Sequence, residues 1–197
     1  MKYYIDFDNT LFNTEIFYND LLKIIKKYNI SKKDIDLYYK DNLSNELFNP
    51  IKIINNLIKD KNINKEIRNF FKDLSKYLYK DTIDFLEFIK NDNELILLTY
   101  GDFEYQNLKV NKSLIKEYFN KIIITSKNKG ELDLDYKNSI FIDDSKEQIE
   151  GLLRKNAKVI RIKREGSKYF NDVINEVKEY NNLKSYIKDL EKEALIS

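Results

Sequence analysis

The 197-residue sequence contains neither cysteine nor histidine. Their absence excludes cysteine-phosphatase and phosphohistidine chemistry, a Ser-His-Asp triad, and zinc sites built on thiolate and imidazole. Disulfides are excluded with them. Carboxylate, hydroxyl, amine and phenol groups remain for catalysis, and hard oxygen ligands remain for a metal, a set that suits Mg²⁺ or Mn²⁺. Long apolar runs are also missing: none could span a membrane, and residues 1–10 lack the apolar stretch of a signal peptide. A soluble, cytoplasmic protein with no membrane partner is the expectation. Charge of one sign is not in excess either. The 35 Lys and Arg against 33 Asp and Glu give a formal net charge of +2, so no overall field recruits nucleic acid. The abundance of Lys, Asn, Ile and Tyr reads as an AT-rich coding bias and carries no functional weight.

The length allows one good core with a single large insertion. Tyr3, Tyr4 and Ile5 form a short β-prone run that stops at Asp6 and Asp8. That pattern predicts a buried strand delivering two carboxylates at its C-terminal end, where open α/β sheets bind ligands. Asp-x-Asp occurs twice more, at Asp34 with Asp36 and at Asp133 with Asp135. Only the first copy follows an apolar strand and precedes a Thr by two residues, at Thr10. Asp34 and Asp36 sit in a Lys-rich solvated segment, and Asp133 and Asp135 in a loop or helix end.

Beyond Thr14 the apolar spacing becomes helical. Phe17, Leu21, Ile24, Ile25 and Tyr28 share one face, opposite Asp20, Lys23 and Lys27. A second helix is expected from Ser31, a third from the Asn49 cap and Pro50, and a fourth capped by Asn64 and carrying Ile67, Phe70, Phe71, Leu74, Tyr77 and Leu78. From Asp81 onward, helices alternate with short apolar strands. Helix Thr82–Lys90 leads to a strand at 95–99 and a helix from about Glu104; strands follow at 122–125, 140–142 and 159–162, with a helix over 146–155. Such a series predicts a mostly parallel, Rossmann-like sheet with helices on both faces. Residues 167–197 read as polar amphipathic helix packing on that core.

The strand ends carry further acids and hydroxyls. Thr99 ends one strand, with Tyr100 and Gly101 after it, and a hydroxyl beside exposed N–H groups makes an anion site. Asp143 and Asp144 end another strand, which would neighbour Asp6 across the sheet. In this order the elements resemble the four motifs of the haloacid dehalogenase (HAD) superfamily, over about residues 1–13 and 80–165. The third motif is a lysine ahead of the last of these strands. Lys127 and Lys129 both qualify, and Lys129 is favoured because Lys129-Gly130-Glu131 fits a helix start. The fourth motif departs from the pattern, since many relatives have an acid where this chain has Gln148, with Glu147 beside it.

The resemblance implies a HAD core at 1–13 and 80–197 with a helical cap at 14–79. It implies an Mg²⁺-dependent phosphatase acting on small phosphate monoesters such as a sugar phosphate, a phosphoglycolate-like compound or a nucleoside monophosphate, through an aspartyl-phosphate. Asp6 would be the nucleophile, and Asp8 the acid and base, with a raised pKa. The metal would be held by Asp6, the Asp8 backbone carbonyl and Asp144, with Asp143 orienting its waters. Thr99 and Lys129 would hold the phosphoryl group, assisted by N–H groups near Asn9 and Tyr100. Asp8 argues against a dehalogenase, because halide departure needs no proton donor. A phosphomutase and a non-catalytic HAD scaffold are the alternatives. The cap aromatics Phe17, Tyr28, Phe48, Phe70 and Tyr77 are expected to be cap core, and Arg161, Lys163, Arg164 and Lys168 a solvated rim. The oligomeric state is not legible.

Overall fold

A computed structural model describes residues 1–196. Six strands pair in the order β3-β2-β1-β4-β5-β6, all parallel. They are β1 (Lys2–Ile5), β2 (Glu94–Tyr100), β3 (Lys121–Thr125), β4 (Ser139–Asp143), β5 (Lys158–Ile162) and β6 (Lys178–Tyr180). This is the doubly wound, Rossmann-like order, whose direction of winding reverses beside β1. The strands alternate between two apolar faces. Tyr3, Ile5, Leu95, Leu97, Ile140, Ile142 and Ile160 belong to one cluster, and Tyr4, Ile96, Leu98, Phe141 and Val159 to the other.

Helices cover both faces. On the first lie α5 (Thr82–Lys90), α6 (Phe103–Lys112) and α8 (Leu183–Ile196), through Phe85, Leu86, Tyr105, Val110, Leu183 and Tyr186. On the second lies α7 (Lys146–Leu153), through Ile149 and Leu152. Among the described residues no helix is long and apolar enough to cross a membrane.

Between β1 and β2 the chain forms α1 (Thr14–Lys26), α2 (Lys32–Asn42), α3 (Pro50–Leu57) and α4 (Lys61–Phe70). Local signals start two of them as expected. Ser31 and Asp34 form a reciprocal capping box, so the second Asp-x-Asp pair is a helix start. Asn49 accepts from Ile51 N and Lys52 N, with Pro50 in the first turn. The fourth start differs, because Asp60 rather than Asn64 is the cap and Asn64 lies inside α4. That helix also stops at Phe70, and Tyr77 follows in a separate 3-10 turn, Ser75–Tyr77. Phe17 is fully buried and meets Phe70, Phe71 and Tyr77 at ring-centroid distances of 5.3 to 5.6 Å. Phe7 and Phe12 continue this aromatic stack to the sheet.

The two connections to this helical segment run side by side. Asn13 N donates to Tyr77 O (2.7 Å), Tyr79 N to Leu11 O (2.9 Å) and Thr82 Oγ1 to Leu11 O (2.8 Å). Arg164, just after β5, clamps both. Its guanidinium donates to Thr10 O at 2.8 and 3.2 Å, forms two 2.9 Å bonds to Asp81, and lies 3.9 Å over the Tyr79 ring. Asp81 Oδ2 also accepts from Leu183 N at 2.8 Å, seating the start of α8.

This overturns the expectation of a solvated rim at Arg161 and Arg164. Both are buried. Arg161 donates to Glu179 Oε1 (2.6 Å), Asp172 O (2.8 Å) and Tyr169 O (2.7 Å), which pairs its charge inside the fold, with Nε alone left without a partner among the described residues. Lys168 is exposed, as expected, but it also lines the cavity described below. The C-terminal stretch is also more than a helix, since β6 extends the sheet before α8 begins.

Candidate active site

Parallel pairing of β1 with β4, with Ile5 opposite Ile142, carries Asp6 and Asp143 out of the sheet as neighbours. Asp6 N donates to Ile142 O at 2.9 Å and extends that pairing. Asp6, Asp143 and Asp144 are all buried, and each offers an oxygen within 4.8 Å of the others. Lys129 Nζ lies among them, donating to Asp6 Oδ1 (2.5 Å) and Asp143 Oδ2 (2.6 Å). Burial, opposed by Lys129 and reinforced by Asp143 and Asp8, pushes the Asp6 carboxyl up to about 7. Burial and then the charges of Asp6 and Asp143 push Asp144 well above the carboxylate range. Burial alone would lower Lys129, but the two carboxylates raise it.

Lys129 is set by a close packing of backbones. It opens a 3-10 turn, Lys129–Glu131, capped by Asn128, and Gln148 Oε1 accepts from Lys129 N at 2.8 Å. Gln148 thus anchors the lysine. A Cβ on Gly130 would lie 2.2 Å from Gly151 O, and one on Gly151 would lie 1.9 Å from Asn128 Oδ1. Only glycines let this turn seat on α7.

Asp8 is held in a way the sequence did not suggest. Its carboxylate accepts from Lys109 Nζ (2.5 Å), Thr14 Oγ1 (2.5 Å) and Gln106 Nε2 (2.7 Å). Lys109 is fully buried, its ammonium 4.8 Å from the ring centre of Tyr105, 5.4 Å from Phe7, 5.5 Å from Phe12 and 6.0 Å from Phe17. Burial would raise Asp8, but the Lys109 charge and the three hydrogen bonds win, and its carboxyl is lowered. The expected raised pKa is therefore corrected. In this arrangement Asp8 is an ionised base.

Lys109 and Gln106 were missed because they sit on α6 at i and i+3, in a chain where a helical lysine normally faces water. Their one signal was company: Tyr105, Gln106, Lys109 and Val110 make a single helical stripe.

The remaining predicted residues divide. Thr99 is fully buried behind the cavity lining, which includes Tyr100 but not Thr99, and its hydroxyl has no hydrogen-bond partner among the described residues. Tyr100 and Asn9 line the cavity above the carboxylates. The Asn9 N–H, however, is committed to Phe12 O at 2.7 Å in a left-handed turn (φ 56°), and its side-chain Oδ1 is buried without a hydrogen-bond partner among the described residues. Lys127 lies outside the cluster, with its N–H accepted by Thr125 Oγ1. Asp135 accepts from Asn138 in a turn, so the third Asp-x-Asp pair is structural.

The cavity encloses about 450 Å³ and runs from Asp6, Asp8, Asp143 and Asp144 to Tyr18 and Phe48 of the helical segment. Asn49 Nδ2 donates to Asp102 Oδ1 at 2.9 Å, linking that segment to the cap of α6 across its edge. Phe48 is partly buried, packing against the core as expected and also lining this cavity, whereas Phe17 and Tyr77 are buried.

Three buried carboxylates share one ammonium, and Asp144 Oδ2 is buried without a hydrogen-bond partner. An all-oxygen donor set with excess negative charge fits a hard divalent cation such as Mg²⁺. Asp8, expected among the ligands through its backbone carbonyl, has its side chain turned to Lys109.

The fold and the strand-end acids define a doubly wound α/β protein with a carboxylate centre at the point where the winding reverses. Among solved structures this architecture is that of the HAD-like hydrolases. A haloacid dehalogenase-like hydrolase from Burkholderia xenovorans LB400 superposes with a TM-score of 0.74 at 15% identity, covering 96% of each chain. The HAD-hydrolase YfnB from Bacillus subtilis, bound to magnesium, gives 0.64 at 14%, covering 96% of this chain and 97% of that one. L-2-haloacid dehalogenase from Xanthobacter autotrophicus, with chloropropionic acid covalently bound, gives 0.64 at 11%, covering 96% and 98%. No family model and no curated protein matches the sequence. The chain has the HAD-like fold.

Proposed function

We propose that the protein is an Mg²⁺-dependent phosphatase of small phosphate monoesters that works through an aspartyl-phosphate. The observation that carries this reading is the cluster of Asp6, Asp143 and Asp144 around one lysine, with a second carboxylate, Asp8, in the same cavity. A dehalogenase has no use for Asp8, which supports phosphoryl over halide chemistry.

Asp6, Asp143 and Asp144 would hold the metal, whose charge would keep Asp6 ionised and offset that of the phosphoryl oxygens. The Asp6 carboxylate attacks phosphorus in line, the P–O bond to the alcohol breaks, and the phosphoryl group resides on Asp6. Water then attacks that phosphorus, releasing phosphate and restoring Asp6. Asp8, ionised as held by Lys109, takes the proton from this water. To protonate the departing alcohol oxygen it must first gain a proton and turn away from Lys109 and Thr14. Lys129 has three N–H bonds and gives two to Asp6 and Asp143, leaving one for a phosphoryl oxygen. A phosphomutase would share these groups and differ in excluding water.

Phosphate release from p-nitrophenyl phosphate and a panel of phosphorylated metabolites, with Mg²⁺ and with excess chelator, tests the reading. Release with Mg²⁺ and its loss in chelator are expected, with Mn²⁺ a partial substitute and Ca²⁺ inhibitory through its looser coordination. Full turnover in chelator would remove the metal from the site. A folded phosphoprotein should be a far poorer substrate than a small monoester, given the size and cover of the cavity.

A further inference from the structure

We propose that the cavity takes a phosphate monoester whose leaving group ends in a flat heteroaromatic ring, a nucleoside monophosphate, in preference to a sugar phosphate. The inference rests on the phosphatase reading for its phosphoryl end alone. Away from the carboxylates, four aromatic rings stand in the walls, Tyr18 and Phe48 from the helical segment and Tyr100 and Tyr169 from the sheet side, beside Leu47 and the charged Lys32 and Lys168. Tyr18 and Phe48 meet edge to face at 6.0 Å, and Phe48 is braced by Tyr39 at 5.3 Å, so these rings are held and need little ordering to receive a planar group.

A polyhydroxylated ligand needs many free donors and acceptors, and several polar groups of the cavity are already engaged, with Gln106 Oε1 and Asn9 Oδ1 left as unpaired acceptors. Gln106 Nε2 is given to Asp8 and Tyr100 O, Asp102 Oδ1 to Asn49 and Tyr105 N, and Gln148 Oε1 to Lys129 N. One neutral donor stands out. The Tyr18 hydroxyl is buried and has no hydrogen-bond partner among the described residues, and burial, then Asp36, pushes it up to about 12, so it keeps its proton. A buried hydroxyl without a partner is unfavourable, and an acceptor on the ligand relieves it. A ring nitrogen or carbonyl oxygen of a base combines that acceptor with a face to stack. The volume, about 450 Å³, lies within the ordinary range of roughly 300–1,000 Å³ for small-molecule sites.

The test has two arms, both on the full chain. Binding of adenosine and uridine, compared with glucose, is read by calorimetry or ligand-observed NMR in chelator, where no turnover intervenes. Phosphate release from adenosine and uridine 5′-monophosphates, compared with glucose 6-phosphate, is read with Mg²⁺. Nucleosides should bind and glucose should not, and nucleotides should exceed the sugar phosphate at least about tenfold in kcat/KM, the scale of one base stacked on an aromatic side chain. Phe48→Ala should weaken nucleoside binding by roughly tenfold or more. Tyr18→Phe, which removes one oxygen and leaves the packing, should weaken it several-fold and guards against misfolding of the first variant. Glucose 6-phosphate turned over as well as the nucleotides, or nucleoside binding indifferent to both substitutions, would overturn the inference. Nucleoside binding without phosphate release from any ester would uphold the cavity assignment and overturn the phosphatase reading.

Discussion

At the scale of single residues, the two carboxylates of the first motif live in opposite surroundings and should respond differently to substitution. Asp6→Asn should lower kcat by more than about a thousandfold and leave no trappable phosphoenzyme, because the nucleophile is gone. Asp8→Asn should slow turnover by about 10²–10⁴-fold, the usual contribution of a general acid or base, while labelled phosphoenzyme accumulates after acid quenching. Equal, mild losses would contradict this division. Lys109→Met removes the ammonium set among Phe7, Phe12 and Tyr105 and leaves Asp8 without its cation, so it should destabilise the fold by about 1–3 kcal/mol in a denaturant titration. Restoration of most of that stability by adding Asp8→Asn would show that the loss is electrostatic. Asp6, Asp143, Asp144 and Lys129 were legible in the sequence because each stands at a strand end or turn. Lys109 and Arg164 were not. Their partners, Asp8 and Asp81, are 101 and 83 residues away, and a buried cation looks like any surface one until its partner is placed.

At the scale of elements, the site depends on how tightly one turn sits on one helix. Gly130→Ala forces the 3-10 turn away from the Gly151 carbonyl, and Lys129 moves with it. The expected result is a loss of kcat well beyond any loss in melting temperature, measured side by side on the purified variant. Helix Thr82–Lys90 was read to the residue, and the central strands to within a residue or two, because unbroken apolar runs leave little freedom. The fourth helix was misread at both ends. Asp60 and Asn64 are both good caps, and the aromatic spacing past Phe70 continues although the backbone does not. β6, the three residues Lys178–Tyr180, carries no apolar pattern and owes its place to pairing with β5.

For the whole molecule, the carboxylate centre ties stability to pH and to metal. Asp6 and Asp144 have folded pKa values raised above their unfolded ones, so their favourable contribution is complete below about pH 4 and is lost as the pH climbs, for Asp6 by about 7. Asp8 acts oppositely: its contribution holds above its unfolded value and fades only in more acidic solution. In chelator these groups should make the protein less stable at pH 8 than at pH 5. Mg²⁺ binds the ionised form, so its stabilising effect on a denaturation midpoint should be larger at pH 8. A metal effect independent of pH would remove Asp6 from the ligand set. The clamp at Arg164 bears on how the chain comes into being. It joins Thr10, Asp81 and, through Asp81, Leu183, so the seating of the helical segment depends on a side chain made 154 residues after Thr10. During synthesis that segment is complete while five of the six strands are still unmade, and it waits on the ribosome without its anchor. Its helices form early; its orientation is among the last things the nascent chain acquires.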